Sequence, residues 1–551
     1  MRIPVMFSKF RPAVFFTLAA FIAFFGILGG CSKEYHKADA DKEVYKIIDG
    51  KWRESFGQKA NYIISDSPLS PNDVPVEEIV SSSKVLTLAE AVAIATKYNR
   101  DYQSQKEQLY LTALDLTLIR HRYARQWFGT IDAKYASGID SSGERFEDVS
   151  IDSGEQGFGF DYTRLLGNGI QIGTGLAIEW ARFLAGDPRA TLVSVLSSSI
   201  AVPLLGGGAG KVAFENLTQA ERNALYEIRS FNRYRKNFVV GIVNDYYRVL
   251  QQSDRVTNAL NSYKSKVLSK KRLEMEAEFG RKAHFDVDEA EQSELNAQDN
   301  YIRAQQTYQQ QLDRFKIKLS LPTDIDIQLD KNELDALEEI GISEPDFTQG
   351  LAIETALLRR LDLANTRDQI DDSVRKVKLA ADSLGTELNL VGSARVDSKP
   401  ETEVANLQFY NGSYGFGFEA DLPFDRKAER NAYRESLVTL QQRQRDYDER
   451  MEEVKFDVRQ AYRELDEAAE KYRIQKISLD LAQKRVENNE MLLEIGRGTT
   501  RLMLESQDAL LQAQNSVTEA LIEHTIAKLT FFRDTGILQV RPDGMWEQTV
   551  K

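Results

Sequence analysis

One cysteine, Cys31, stands in a chain of 551 residues that also holds only four histidines and 12 prolines. A single thiol excludes an intramolecular disulfide framework and any thiolate cluster for a structural metal. His36, His121, His284 and His524 have none of the paired spacings that ligate zinc. An excess of positive charge is missing too. The 84 acidic and 71 basic side chains give a formal charge of −13, which excludes the basic footprint of a nucleic-acid binder. No Gly-X-Ser-X-Gly seats a nucleophile. Gly206-Gly-Gly-Ala-Gly-Lys211 fails as a phosphate loop, because Leu205 stands where the first Gly is needed and Val212 where Ser or Thr must bind the metal. Carboxylates are spread along charged helices without one being set apart as a general acid or base. Neither an enzyme nor a bound cofactor or metal is expected.

The start of the chain is a targeting segment. Arg2, Lys9 and Arg11 precede Ala13 to Gly30, a Phe-rich run without charge, which reads as a secretory signal. It ends in Leu28-Gly29-Gly30-Cys31, and small residues before a Cys resemble the box that lipoprotein signal peptidase cleaves once the thiol is diacylated. The plainer alternative is an N-terminal anchor helix with an incidental Cys. Ser32, where an Asp usually retains Gram-negative lipoproteins at the inner membrane, favours export to the outer membrane. Loss of residues 1–30 takes the formal charge from −13 to −16. No later stretch reaches the roughly 18 uncharged apolar residues of a spanning helix, so a further crossing must use β-strands.

The rest of the chain is one plan written twice. Ala95-Thr-Lys-Tyr-Asn-Arg-Asp-Tyr102 lines up with Ala356-Leu-Leu-Arg-Arg-Leu-Asp-Leu363, and Val202-Pro203-Leu204 with Leu422-Pro423-Phe424. Tyr246 aligns with Tyr462, Phe279-Gly280-Arg281 with Ile495-Gly496-Arg497, Val287 with Met503 and Leu295 with Leu511, all at an offset of 216. Val454, Val458, Ala461, Leu465, Ala468 and Tyr472 step by four and three, continued by Leu479, Ala482, Val486 and Leu493, with Val239, Ile242, Val243, Tyr246 and Leu250 as counterpart. A sustained 3.5-residue stripe calls for a partner helix. Proline is absent from 204–321 and 424–541, so each copy is expected to hold one helix near 105 Å and short helices near half that length, at about 1.5 Å per residue. Between short and long helix, side chains alternate with period two. Ile170, Ile172, Thr174, Leu176, Ile178 and Trp180 oppose Gln171, Gly173, Gly175 and Glu179, and Tyr414, Phe416, Phe418, Ala420 and Leu422 oppose Gly415, Gly417, Glu419 and Asp421. Aromatic alternation with Gly between is the pattern of a lipid-facing barrel strand, a soluble sheet edge being the plainer alternative. Strands are expected at 128–139, 155–165, 169–182, 191–202, 387–397 and 409–423.

This order of motifs resembles the TolC-type outer-membrane efflux proteins, outer-membrane factor lipoproteins among them. Leu86-Thr-Leu-Ala-Glu-Ala-Val, the Val-Pro-Leu and Leu-Pro-Phe strand exits and the Phe-Gly and Ile-Gly tips carry the resemblance over essentially the whole mature chain. It implies a mainly α fold with a membrane β-barrel. Long antiparallel helical hairpins from two internal repeats form a periplasmic α-barrel, and three protomers share one outer-membrane β-barrel. The family usually supplies four strands per protomer, so the six expected here leave an extra pair, read as an extracellular hairpin centred on Leu166-Gly167-Asn168-Gly169. The implied organisation is a signal peptide 1–30; a lipid-anchored extension 31–85; a first repeat 86–320 with strands in 128–202 and a helical hairpin 209–320; an equatorial linker 321–346; a second repeat 347–540 with strands in 387–423 and a hairpin 426–536; and a tail 541–551.

The same resemblance implies the site. Cys31 carries lipid. Gly280, Arg281, Gly496 and Arg497 form the adaptor-docking tips, each Gly making a tight turn that a Cβ would obstruct. Asp286, Glu289 and Glu505 belong to a periplasmic gate. Some relatives carry acids six and nine residues past the second Gly, where this chain has Leu502 and Glu505, so a single Glu505 ring is expected. Asp286 is expected to latch to Arg497, which lies one position earlier than usual, with Gly498 in its slot. The implied function is the exit duct of a tripartite efflux or type I secretion system: a homotrimer in outer-membrane lipid, served by a periplasmic adaptor (membrane fusion) protein and an inner-membrane pump of RND or ABC type. The alternative of another class is a periplasm-spanning coiled-coil envelope lipoprotein without a pore.

Overall fold

The computed structural model describes residues 32–53, 56, 58–59, 61–65, 85–130, 133–139, 145–151, 158–166, 169–183, 190–205, 214–342, 348–399, 406–422, 424–541 and 545–548, with the backbone alone in 128–160, 178–192 and 546–548. The targeting segment with Cys31, and the glycine run 206–211, lie outside the described residues. Two compact units make up the chain, one ending at Gly50 and one running from Lys51. The first holds most of helix α1 (Lys33–Lys51), in a stretch where the sequence pattern announces no element.

In the second unit the two copies appear in order. The first has α2 (Leu88–Tyr98) and α3 (Arg100–Tyr123), six strands, then α4 (Glu215–Glu278) and α5 (His284–Lys318). The second has α7 (Gln349–Arg359) and α8 (Leu361–Asp382), β9 (Glu387–Asp397) and β10 (Ser413–Asp421), then α9 (Lys427–Glu494) and α10 (Thr500–Asp534). Residues Leu86 to Val92 start α2 through a capping box, the Thr87 side chain accepting from the Glu90 amide while the Glu90 carboxylate accepts from the Thr87 amide at 2.9 Å. Each short helical run is broken at its aligned position. Asn99 (φ −63°, ψ 130°) and Arg360 (φ −70°, ψ 119°) are extended, so the run bends there in both copies. Asn99 serves as cap of the following helix, its side chain accepting from the Tyr102 amide at 2.9 Å and donating to the Lys318 carbonyl at 2.7 Å. Helices α4 and α9, of 64 and 68 residues, span about 96 and 102 Å, and α5 and α10, of 35 residues each, about 53 Å.

The main core gathers at the middle of the long helices. Val239, Ile242, Val243, Tyr246 and Leu250 of α4 meet Leu88, Val92 and Ala95 of α2, Phe315 of α5, Val454, Val458 and Leu465 of α9 and Phe531 of α10. Burial of each such Val, Leu or Ile side chain stabilises by about 1.5–3 kcal/mol. The segment expected as an irregular linker carries structure: β8 (Gln328–Leu329) pairs in parallel with β1 (Val85–Leu86), and α6 spans Asn332–Ile340. Tyr246, fully buried, donates its hydroxyl to the Leu86 carbonyl at 2.9 Å and ties that pairing to α4. The stripe on α9 is buried from Val454 to Tyr472. Beyond it Leu479, Ala482, Val486 and Leu493 are only half-buried, and Ile474, Ile477 and Leu481 are 54, 62 and 60% exposed.

The strands are β2 (Gln126–Thr130), β3 (Ala133–Ile139), β4 (Arg145–Ile151), β5 (Phe158–Leu165), β6 (Gln171–Phe183) and β7 (Ala190–Leu205), joined with β9 and β10 in one antiparallel sheet. The eight strands fall into six rows. β5 and β4 lie successively along β6, on Gln171–Ile178 and Trp180–Phe183, and β2 and β3 lie successively along β5 and β4. The segment expected as one strand over 128–139 is therefore two, and a strand at Arg145–Ile151 precedes the one expected at 155–165. The extra hairpin also points the other way. Its turn is closed by Leu166 donating to the Ile170 carbonyl at 2.8 Å and Gly169 to the Leu166 carbonyl at 2.9 Å, with Gly169 at φ 84°. Thr163, just before it, pairs with Gln126, where the chain arrives from α3. The Leu166–Gly169 turn thus sits at the end of the sheet that joins the helices, not at the far end.

Candidate functional site: the strand wall and the helical tips

The register aligns the period-two pattern across strands. Gly173, Ser199, Ser393 and Gly415 stand abreast on one face; Ile172, Ile200, Gly392 and Phe416 stand abreast on the other. The first face is small and polar, and its glycines lie close against serine hydroxyls. A Cβ on Gly173 would come within 2.7 Å of Ser199 Oγ, and one on Gly415 within 2.6 Å of Ser393 Oγ. A hollow of about 660 Å³ beside the sheet is lined by residues of both sets, Gly173, Ser393 and Gly415 together with Ile172, Ile200 and Phe416. The opposite face presents exposed Leu176, Ile200, Tyr414, Phe416 and Phe418, with the Trp127 ring tilted against Tyr162 at a centroid separation of 4.8 Å. One apolar face with aromatics and one small, polar face is the division a strand wall between lipid and water requires. No described helix is long and apolar enough to cross a membrane.

The tips are matching helix ends. Arg281 donates to the Glu276 carbonyl and Gly280 to the Ala277 carbonyl, both at 2.9 Å; Arg497 donates to Leu492 at 2.9 Å and Gly496 to Leu493 at 3.1 Å. These paired bonds are Schellman motifs, with Gly280 at φ 67° and Gly496 at φ 71°. The reason for Gly differs from the one expected. A Cβ at either position meets nothing within 4 Å, so the constraint is the left-handed backbone and not lack of room. Room is lacking at Gly498, where a Cβ would lie 2.7 Å from the Leu493 backbone nitrogen. Arg281 and Arg497 are exposed, as are Phe279, Phe285 and Ile495 around them.

The three acids expected at a gate lie on the first two turns past those tips. Asp286 and Glu289 are half-buried on α5; Glu505 on α10 is exposed and pairs with Arg501 at 2.9 Å. Asp286 and Arg497 form no ion pair with each other among the described residues. The tie between the two hairpins lies higher. The Lys266 side chain on α4 is fully buried and donates to the Leu504 carbonyl at 2.8 Å and to Asp508 at 2.9 Å, both on α10. Burial pulls its pKa down, and Asp508 opposes that. Gln507 donates to Ser265 and Ser269, Thr518 to Asp254 at 2.6 Å and Arg255 to Glu519 at 2.8 Å, extending the polar seam along both helices. In sequence Lys266 passes for one more solvated charge. The signal that marks it is its place seven residues from both Ala259 and Leu273, each buried. A second such group is Arg360 at the aligned bend, its side chain 1% exposed, held by Asp362 at 2.7 Å and Asp457 at 2.8 Å.

Residues 352–533, from α7 to α10, match the family described as outer membrane efflux protein. Among solved structures, CusC is similar at a TM-score of 0.58 and 11% identity, covering 87% of this chain and 99% of that one. The CmeC outer membrane channel of Campylobacter jejuni is similar at 0.57 and 12%, covering 91% and 93%. The MtrE outer membrane channel of Neisseria gonorrhoeae, solved in its open state, is similar at 0.58 and 10%, covering 87% and 95%. No curated protein sequence matches. The chain thus carries an outer membrane efflux protein domain in its second repeat, within the fold of the TolC-type outer-membrane channels.

Proposed function

We propose that the protein is the outer-membrane exit duct of a tripartite efflux or type I secretion system: a passive, trimeric channel, lipid-anchored at Cys31 and reaching into the periplasm. The observation that carries this is the two-faced sheet, whose Gly and Ser side suits water and whose aromatic side suits lipid, followed along the chain by long helices. Ile474, Ile477 and Leu481, bare on the single chain, support packing of those helices against further copies. The channel names of the similar structures support the same location. Gly280, Arg281, Gly496 and Arg497 then meet a periplasmic adaptor, and an inner-membrane pump supplies the energy. Asp286, Glu289 and Glu505 surround the narrow end, and Asp286 latches to Arg497 in the closed state.

The purified lipoprotein tests this. A heat-resistant trimer that conducts ions in planar bilayers is expected. A folded, exported protein that forms no conducting oligomer would return the reading to a spacer without a pore.

A further inference from the structure

We infer that each copy contributes six strand rows to the outer-membrane wall, and that three copies close it as a barrel of eighteen strands. The inference deepens the proposed channel and rests on it. One lateral line of paired residues, Phe128, Asp161, Gly175, Ser197, Arg395 and Ser413, crosses every row without a gap. The rows that carry the extra hairpin belong to the wall itself. β6 and β7 have 13 and 16 residues, and β9 and β10 have 11 and 9, each long enough for the 9–11 residues or so of a membrane-spanning strand, while each of the other two rows is filled by two shorter strands end to end, β5 and β4 with 8 and 7 residues and β2 and β3 with 5 and 7.

Among the described residues the sheet ends in two open edges, β10 on one side and β2 with β3 on the other. Six rows are fewer than the eight or so of the smallest membrane barrels, so one chain cannot close on itself. Left open in hydrocarbon, each unpaired N–H or C=O would cost several kcal/mol. Because the row count is even, β10 runs opposite to β2 and β3, and the edge of one copy meets the edge of the next in the same antiparallel sense as every other pair. Such head-to-tail joints close into a ring. At a strand spacing of about 4.8 Å and a tilt near 40°, eighteen rows give a backbone diameter of about 36 Å, against about 24 Å for twelve. Gly173, Gly175 and Gly415 on the water-facing side add nothing to narrow it.

The test is electron cryo-microscopy of the trimer in lipid nanodiscs, joined to disulfide trapping in outer membranes of the full chain. Opposed residues in antiparallel rows lie within disulfide reach. Eighteen strands are expected, with cross-links in Phe128→Cys/Asp161→Cys and in Gly175→Cys/Ser197→Cys. A closed trimeric barrel of twelve strands, with Phe128→Cys/Ser197→Cys cross-linked instead, would overturn the inference and leave the channel standing. A trimer with no closed barrel would overturn both.

Discussion

The middle of the helical region and its tips are built from the same two hairpins, yet they are held together in different ways. At the middle, side chains from α2, α4, α5, α9 and α10 share one apolar core around Tyr246 and Val458. Near the tips the apolar cluster shrinks to Leu273, Ala290 and Leu504, and the join is carried by the buried ammonium of Lys266 and a polar seam. An apolar core resists any displacement, because dry contact is lost as soon as surfaces part. A hydrogen-bonded seam exchanges its partners for water at a smaller net cost. The middle is therefore expected to hold where the tips part more readily.

The largest expected effect sits in the fixed region. Tyr246→Ala removes a fully buried ring and the bond to Leu86, and is expected to cost about 3–5 kcal/mol, read as a lower midpoint in guanidinium unfolding of the purified protein. Acid gives a graded effect in the same region. Burial pushes the Asp362 carboxyl up, but Arg360 above all, with Arg233 and Arg450, holds it well below the usual carboxylate range. The unfolded carboxyl takes its proton near pH 4 while the folded one still resists. Its stabilisation is thus complete above that pH and lost as the pH falls towards the folded value, by up to about 1.4 kcal/mol per unit. An Asp362→Asn variant should show a flatter decline in stability between pH 4 and 2.

Near the tips, Lys266→Ala removes the bonds to the Leu504 carbonyl and to Asp508 and is expected to cost about 1–3 kcal/mol locally. Hydrogen exchange should speed up around 500–510 and stay unchanged around 454–465. A comparable loss of protection in both places would erase the contrast. The smallest effect is at the turns. Gly496→Ala should cost about 1 kcal/mol through its left-handed backbone, and Gly498→Ala more, since its Cβ meets the backbone of Leu493. Calorimetry of the two variants orders them, and the reverse order would break this account of the turn.

What the sequence discloses follows from which forces leave a periodic trace. The offset of 216 relates Tyr246 to Tyr462 and Gly280 to Gly496, and the structure puts both tips in the same motif. Period two separates the two faces of β6 and β10, because successive side chains of a paired strand point to opposite sides of the sheet. The bends at Asn99 and Arg360 left no such trace: neither Pro nor Gly marks them, and the break is made by a cap and a buried ion pair that form only in the folded chain. Lys266 was missed because composition weighs a lysine as solvent-facing, whereas its heptad position put it inside. The direction of the Leu166–Gly169 turn depends on which strand pairs with Gln126, a contact remote in sequence. The Asp286–Arg497 pair, expected from resemblance alone, is not made within one chain.

The central claim is that one face of the sheet meets water and the other lipid. Single cysteines along β6, β7 and β10 in intact outer membranes, treated with a membrane-impermeant maleimide, test it most directly. Positions 173, 175, 199 and 415 are predicted to react and positions 172, 176, 200, 416 and 418 to stay protected. Labelling without alternation would contradict the wall, and with it the channel.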